Sequence, residues 1–280
     1  MNLKNILRLF TVFILVFAYS IRSTGQPAIQ IFTPSPTQGS LIIGRILVQG
    51  ELYFRGEALL LTDTGEFVFG IGRDSKAHIE LEIRQGNEKI LYPISIRPRL
   101  WKVEKINGLP ASKVNPKNKE TLSRIKREGK KVAIARTNLS IQQAFMMQFI
   151  APAKGRISGV YGSQRVLNGE AKRPHFGLDI ANKKGTPVIA PADGIVVLAE
   201  NDLYFSGGTI IIDHGYSVFS TYLHLSRLDV QVGQEIKQTE KIGEIGATGR
   251  ATGPHLDWRL NWKSVRLDPQ LLLEKHNEQD

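Results

Sequence analysis

Short apolar runs, each closed within a few positions by turn residues, constrain this chain more than any other feature. Leu41-Ile42-Ile43, Glu51-Leu52-Tyr53-Phe54 and Ala58 to Leu61 are followed, across the turn Asp63-Thr64-Gly65, by Glu66-Phe67-Val68-Phe69. His78 to Ile83 alternates polar and apolar with period two, and Ile90 to Ile96 closes the set after Gly86-Asn87. Strands at this spacing predict a small antiparallel β-sandwich over residues 36–98. His78 falls in the polar register of its strand and reads as a solvated residue. The stretch before it, residues 26–38, is rich in Pro, Thr, Ser and Gln and reads as a flexible leading segment.

The same pattern returns from Phe149. Gly155 to Gly159, Pro187 to Pro191 and Gly194 to Leu198 are strand-like, and Gly208 to Asp213 is a continuous apolar run suited to a buried strand. Glycines at 215, 233, 243, 246, 249 and 253 punctuate the remainder. A second all-antiparallel β domain is expected over residues 149–273. Residues 99–148 form a connector that opens with Gly108, Pro110 and Pro116. From Lys117 to about Ala135, Leu122, Ile125, Val132 and Ile134 sit among many Lys and Arg, which predicts a basic helix with a narrow apolar stripe. Such a helix either docks on an anionic polymer or simply solvates a linker, and the second is commoner for charge runs. The fold class is therefore mainly β, with one basic helical linker.

Composition excludes several classes. A chain of 280 residues with 41% hydrophobic and 22% charged residues can bury a core in each half, so wholesale disorder is ruled out. With no cysteine there is no disulfide framework, no thiolate nucleophile, no Cys-ligated metal and no lipid-modified cysteine. The N-terminus carries Lys4 and Arg8, the apolar run Leu9 to Tyr19, and then small residues at Ala18 and Ser20, with Ser23 to Gly25 a second cleavage candidate. This is the layout of a secretory signal peptide over residues 1–20. The run is short for a membrane span, and an uncleaved inner-membrane anchor is the other reading. A formal charge of +11 attracts polyanions. Export argues against nucleic acid and for carboxylate-rich cell wall or anionic lipid.

Chemistry concentrates in the second β domain, residues 149–273, which holds four of the six histidines. His175 and Asp179 are four apart, but Pro174 and Gly177 argue against a helix. In an extended segment residues 175, 177 and 179 share a face, and Gly177 leaves room between the two functional groups. His255 and Asp257 repeat the logic at spacing two, framed by Thr248-Gly249 and Thr252-Gly253-Pro254. In Tyr222-Leu223-His224-Leu225 the alternation puts Tyr222 and His224 on one face. Any one of these histidines alone is more often a hydrogen-bonded structural residue than a ligand. His214, in Asp213-His214-Gly215, reads as a turn residue.

Taken together these segments resemble a known family. His175-x-x-x-Asp179, Tyr222-Leu223-His224-Leu225 and Thr252-Gly253-Pro254-His255-Leu256 are similar to the lysostaphin-type peptidases of family M23. So are Gly159-Val160-Tyr161-Gly162, Ala190 to Gly194 and Gly243 to Gly249. The resemblance covers roughly residues 149–273, and the front half is similar to the β-rich N-terminal domain of some Gram-negative members. It implies a periplasmic, zinc-dependent metalloendopeptidase that hydrolyses peptide cross-links of peptidoglycan. Its substrates would be peptidoglycan peptide stems, other wall hydrolases or divisome proteins are candidate partners, and the chain would act as a monomer. His175 and Asp179 would bind zinc, while His224 and His255 would act on the attacking water and the transition state.

One position departs from the family pattern. The motif ends in His-x-His, and where the second His would be the third zinc ligand this chain has Asp257. A carboxylate is an acceptable ligand. Two carboxylates and one imidazole cancel the charge of a dication, however, which weakens the acidity of the attacking water and drifts the site toward harder ions. Arg259 shares the face of Asp257, so a salt bridge that leaves no third ligand is the competing arrangement. Two other functions follow from the same residues: a catalytically weak or inactive domain that binds peptidoglycan and regulates another wall hydrolase, and a surface scaffold whose active part is the basic helix.

Overall fold

The structure, a computed structural model, describes residues 27–107 and 117–273. The expected signal segment 1–20 lies outside these residues. Among them, no helix is long and apolar enough to cross a membrane.

The front domain is built of two antiparallel sheets. One runs Ile29–Ile31, Leu41–Ile46, Glu66–Gly70, and the other Glu57–Ala58, Glu51–Phe54, His78–Gln85, Glu88–Ser95. Alternation decides the packing, as expected: Ile79, Leu81 and Ile83 are buried while His78 and Glu80 face solvent. The leading segment is not all loose chain. Ile29–Ile31 pairs with Gly44–Ile46 and Ile29 is buried, in a strand too short to stand out against its Pro- and Thr-rich surroundings.

The C-terminal half is built on an eight-stranded antiparallel sheet, with a separate three-stranded sheet of Pro187–Ile189, Lys241–Glu244 and Arg227–Leu228. The order of the larger sheet is Glu235–Ile236, Gly194–Leu203, Gly207–Asp213, Val218–Leu225, His255–Trp262, Leu178–Ala181, Arg156–Gly159, with Val265–Leu267 hairpinned onto His255–Trp262. Gly207–Asp213 is buried along its whole length, as its apolar run predicts. Ile210, Ile212, Tyr222, Leu256, Trp258 and Leu260 turn to the main core, which is continuous with that of the front domain. Phe54 and Trp262 meet across the junction, with ring centroids 6.4 Å apart.

The alternate positions face the other way. Leu198, Ile211 and Phe219 form a small second cluster, covered by Val132 and Ala135 of the helix Lys119–Ala135. The Asn118 side chain caps that helix by accepting from the Thr121 amide at 3.0 Å. No helical residue is fully buried. The basic linker helix is thus neither free in solvent nor a core element: it rests on the sheet by its narrow stripe and by Lys131–Glu200 and Arg124–Asp202 pairs. The connector also supplies a strand that its sequence does not announce, Val103–Ile106, which pairs in parallel with Gln164–Leu167.

Candidate functional site

Strand register assembles the site. Asp179 on Leu178–Ala181 stands directly opposite Asp257 on His255–Trp262, with Gly159 as its neighbour on the other side. A Cβ on Gly159 would lie 2.3 Å from Asp179 Oδ2, so only glycine lets that carboxylate sit here. His175 precedes the strand and is fixed by its backbone, its amide donating to Ser163 O and its carbonyl accepting from Gly162 N, both at 2.8 Å. Its Nε2 lies 3.1 Å from Asp179 Oδ1, which confirms that the two residues share a face. One ligand atom each of His175, Asp179 and Asp257 falls within 4.8 Å of the others, and all three residues are buried.

Such a cluster could hold a cation. Two carboxylates opposite each other on neighbouring strands repel, and burial magnifies the cost. Neither ring nitrogen of His175, which is 2% exposed, makes a well-aligned hydrogen bond, and the Nε2 contact with Asp179 Oδ1 is its one polar approach. An unsatisfied buried donor–acceptor group ordinarily costs ~1–3 kcal/mol and calls for an explanation. A cation held among the three residues would answer both features.

Part of the positive charge is already present. Arg259 grips Asp257 with a two-pronged pair, Nε to Oδ1 at 2.9 Å and Nη2 to Oδ2 at 2.6 Å. Burial alone would raise the Asp257 pKa, but the Arg259 guanidinium and the two nearby histidines overcome it and hold the carboxyl far below the usual range. The salt bridge expected as a competitor to metal binding therefore exists. It does not draw Asp257 away from His175 and Asp179. A carboxylate offers about four lone-pair sites, and the guanidinium takes two of them. It also changes the charge count: with Arg259 included, the donor set carries the same net charge as two imidazoles and one carboxylate. The residues thus fit a divalent ion, with Asp257 and Arg259 together standing in for a neutral imidazole.

Gly177 has a different task from the one expected. A Cβ there would lie 2.1 Å from Asp257 Oδ1 and 2.9 Å from Arg259 Cγ, so the glycine makes room for this pair.

His224 and His255 come together over the cluster, ring centroids 4.8 Å apart, with His255 Nε2 4.0 Å from Asp179 Oδ1. His224 Nδ1 meets Thr248 O and His255 Nδ1 meets Gly253 O, both at 2.8 Å. A carbonyl only accepts, so each Nδ1 carries a proton, which makes Nε2 the atom on each ring that can exchange one. Burial lowers the His224 pKa to about 4 against the pull of Asp257, so this ring is neutral at pH 7. His224 also has a φ of +67°, which breaks the alternation expected along Tyr222–His224. A non-glycine residue in that region costs ~1–3 kcal/mol and is tolerated mostly at functional positions. His214 is the structural residue expected, placed just before the turn at 215–217. It is fully buried, with Nδ1 2.6 Å from Asp193 O and Nε2 2.7 Å from Ser220 Oγ. Its role is structural.

All five residues line one cleft of about 910 Å³. Sequence reading missed that its walls are cationic: Arg156, Arg173 and Arg266 join Arg259 there. Arg266 lies opposite Asn261 in the terminal hairpin and donates to Asn261 Oδ1 at 2.9 Å. Burial and the like charge of Arg259 lower its pKa to about 10. Hairpin register was the signal that could have found it.

The large antiparallel sheet thus presents a His/Asp/Asp cluster beneath a pair of imidazoles. Residues 173–269 match the model of peptidase family M23, and the chain carries a peptidase M23 domain. Its fold is similar to a solved structure of a Pseudomonas aeruginosa protein described as a peptidase M23. The two are 28% identical, the match covers 86% of this chain and 96% of that one, and the TM-score is 0.67. Peptidoglycan DD-endopeptidase ShyA of Vibrio cholerae is 36% identical over 162 residues, 56% of this chain and 36% of that protein. Murein hydrolase activator NlpD of Escherichia coli is 37% identical over 115 residues, 41% of this chain and 28% of that protein. The chain thus spans about a third of the length of these curated relatives.

Proposed function

We propose that this protein is a zinc-dependent endopeptidase that hydrolyses peptide cross-links of peptidoglycan in the periplasm. The observation that carries the reading is the buried confrontation of Asp179 and Asp257 beside a histidine with no well-aligned hydrogen bond, beneath two imidazoles whose Nε2 atoms are left to exchange a proton. The names of the endopeptidase relatives support the substrate class.

His175, Asp179 and Asp257 would hold the ion, which when bound supplies Lewis acidity toward the scissile carbonyl and the attacking water. Arg259 keeps the donor set from neutralising that acidity. His224 or His255 accepts a proton at Nε2, the only free nitrogen on either ring, and once protonated the same atom donates to developing negative charge. The hydrogen bonds to Thr248 O and Gly253 O fix both rings for this task.

A second reading has its own observation. Because Arg259 already occupies two sites on Asp257, metal affinity can be too weak for turnover, and the domain would then bind peptidoglycan and regulate another hydrolase, the role that the name of NlpD carries. Elemental analysis of the purified protein, with chromatography of muropeptides released from isolated sacculi, separates the two. Metal with released cross-link fragments supports the enzyme. Intact sacculi at full zinc loading would leave the regulator.

A further inference from the structure

Arg173 and Arg266 are cleft residues that the hydrolytic reading leaves unused. The side chains at 257, 259 and 261 share one face of their strand, and hairpin pairing of Asn261 with Arg266 adds Arg266 to that face. Arg173 reaches the cleft from the segment just before His175. Arg259 spends its fork on Asp257, whereas neither Arg173 nor Arg266 forms an ion pair with a carboxylate among the described residues. Arg266 is partly buried, and among the described residues the one hydrogen bond of its guanidinium goes to a neutral amide oxygen.

Holding guanidiniums together in a concave site costs Coulomb energy unless an anion completes it. The planar fork of arginine is matched to carboxylate geometry. The two Asp carboxylates that line the cleft belong to the metal-type cluster, and Asp257 is already gripped by Arg259.

We propose that Arg173 and Arg266 form a carboxylate subsite, so that the cleft selects peptides bearing a free carboxylate near the bond presented to His224 and His255. The proposal deepens the endopeptidase reading by naming the chemistry of its substrate: an acidic cross-link in preference to a neutral one such as a glycine chain. It rests on that reading for turnover but not for binding. The carboxylate belongs to a side chain or to a chain terminus, two sources that share the same recognition.

The test is calorimetric titration of the full-length protein with a tetrapeptide holding one glutamate side chain and a free C-terminus, and with the same peptide amidated at either position. Mass spectrometry of the recovered peptide shows whether it stays intact. The carboxylate form is expected to bind at least about tenfold tighter than one of the two amides, because amidation removes a charge-assisted hydrogen bond. Which amide loses affinity identifies the source. Arg173→Gln, at an exposed position, and Arg266→Gln should each erase most of the discrimination, and Arg173→Gln decides alone if the Arg266 variant does not fold. Equal affinity for acid and amide, no saturable binding of the acid, or discrimination that survives Arg173→Gln would overturn the subsite. A protein that discriminates yet never cleaves sacculi would retain the subsite and lose the endopeptidase reading.

Discussion

Replacing Arg259 with Met should destabilise the metal-free protein and strengthen its hold on zinc at the same time. Asp257 is 3% exposed at its side chain and Arg259 25%. Removing one partner of a buried pair strands the other charge, at a cost of about 3–5 kcal/mol, and the lower end applies because the guanidinium is partly in solvent. For a folded body of this size each kcal/mol shifts Tm by ~2–4 °C, so a fall of roughly 10 °C is expected without metal. Zinc reverses the sign. A unit charge one carboxylate away from a dication, roughly 6 Å at an effective dielectric of ~20, repels it by about 5 kcal/mol. Losing the residue that orients a ligand costs tenfold to a hundredfold in affinity, about 1.4–2.8 kcal/mol, which is the smaller effect. Differential scanning fluorimetry across a zinc titration is the assay, and the zinc-induced rise in Tm should be larger in Arg259→Met than in wild type. Turnover should nevertheless drop, because the donor set then cancels the ion's charge. A metal-free variant that melts with wild type, or one that gains less from zinc than wild type, would refute this reasoning.

Other perturbations follow from the same geometry. His224→Ala and His255→Ala should leave zinc content near that of wild type and abolish muropeptide release, and loss of metal in either would contradict their place outside the ligand set. Gly177→Ala, whose Cβ would strike Asp257 Oδ1, should lower Tm by several degrees and cut zinc affinity, measured by fluorimetry and elemental analysis. His214 is held neutral with a pKa near 4 by burial, against ~6.5 unfolded. The unfolded chain binds the extra proton between these values, so this stabilisation is complete above about pH 6.5 and is lost as pH falls toward 4, by roughly 3 kcal/mol. Urea melts at several pH values should show that slope in wild type and a shallower one in His214→Gln.

How much of this was legible in the sequence depends on range. Period-two alternation announced strands such as His78–Gln85, and the unbroken run at 208–213 announced a buried one, because both signals are local. The pairing of Asp257 with Arg259 could also be read, since spacing two on a strand fixes a shared face. What could not be read is which strands become neighbours. The confrontation of Asp179 with Asp257 depends on a pairing that joins residues far apart in the chain, as does the addition of Arg266 to the same face. Gly177 looked like space for an ion until the structure put a carboxylate and a guanidinium beside it. His214 reads as a structural residue at a turn because its neighbours are polar and small, but its burial could not be read, since its partners, Asp193 and Ser220, come from other segments. The basic helix kept its charge pattern, and only the sheet beneath revealed that its stripe has a resting place.

The most direct test of the central claim is zinc quantification by elemental mass spectrometry on wild type and His175→Ala, paired with muropeptide chromatography of sacculi treated with each. Stoichiometric zinc and released cross-link fragments are expected from wild type, with both lost in His175→Ala. A wild-type protein that stays metal-free after zinc loading, or that digests sacculi equally well without His175, would contradict a metal-centred hydrolase in this cleft.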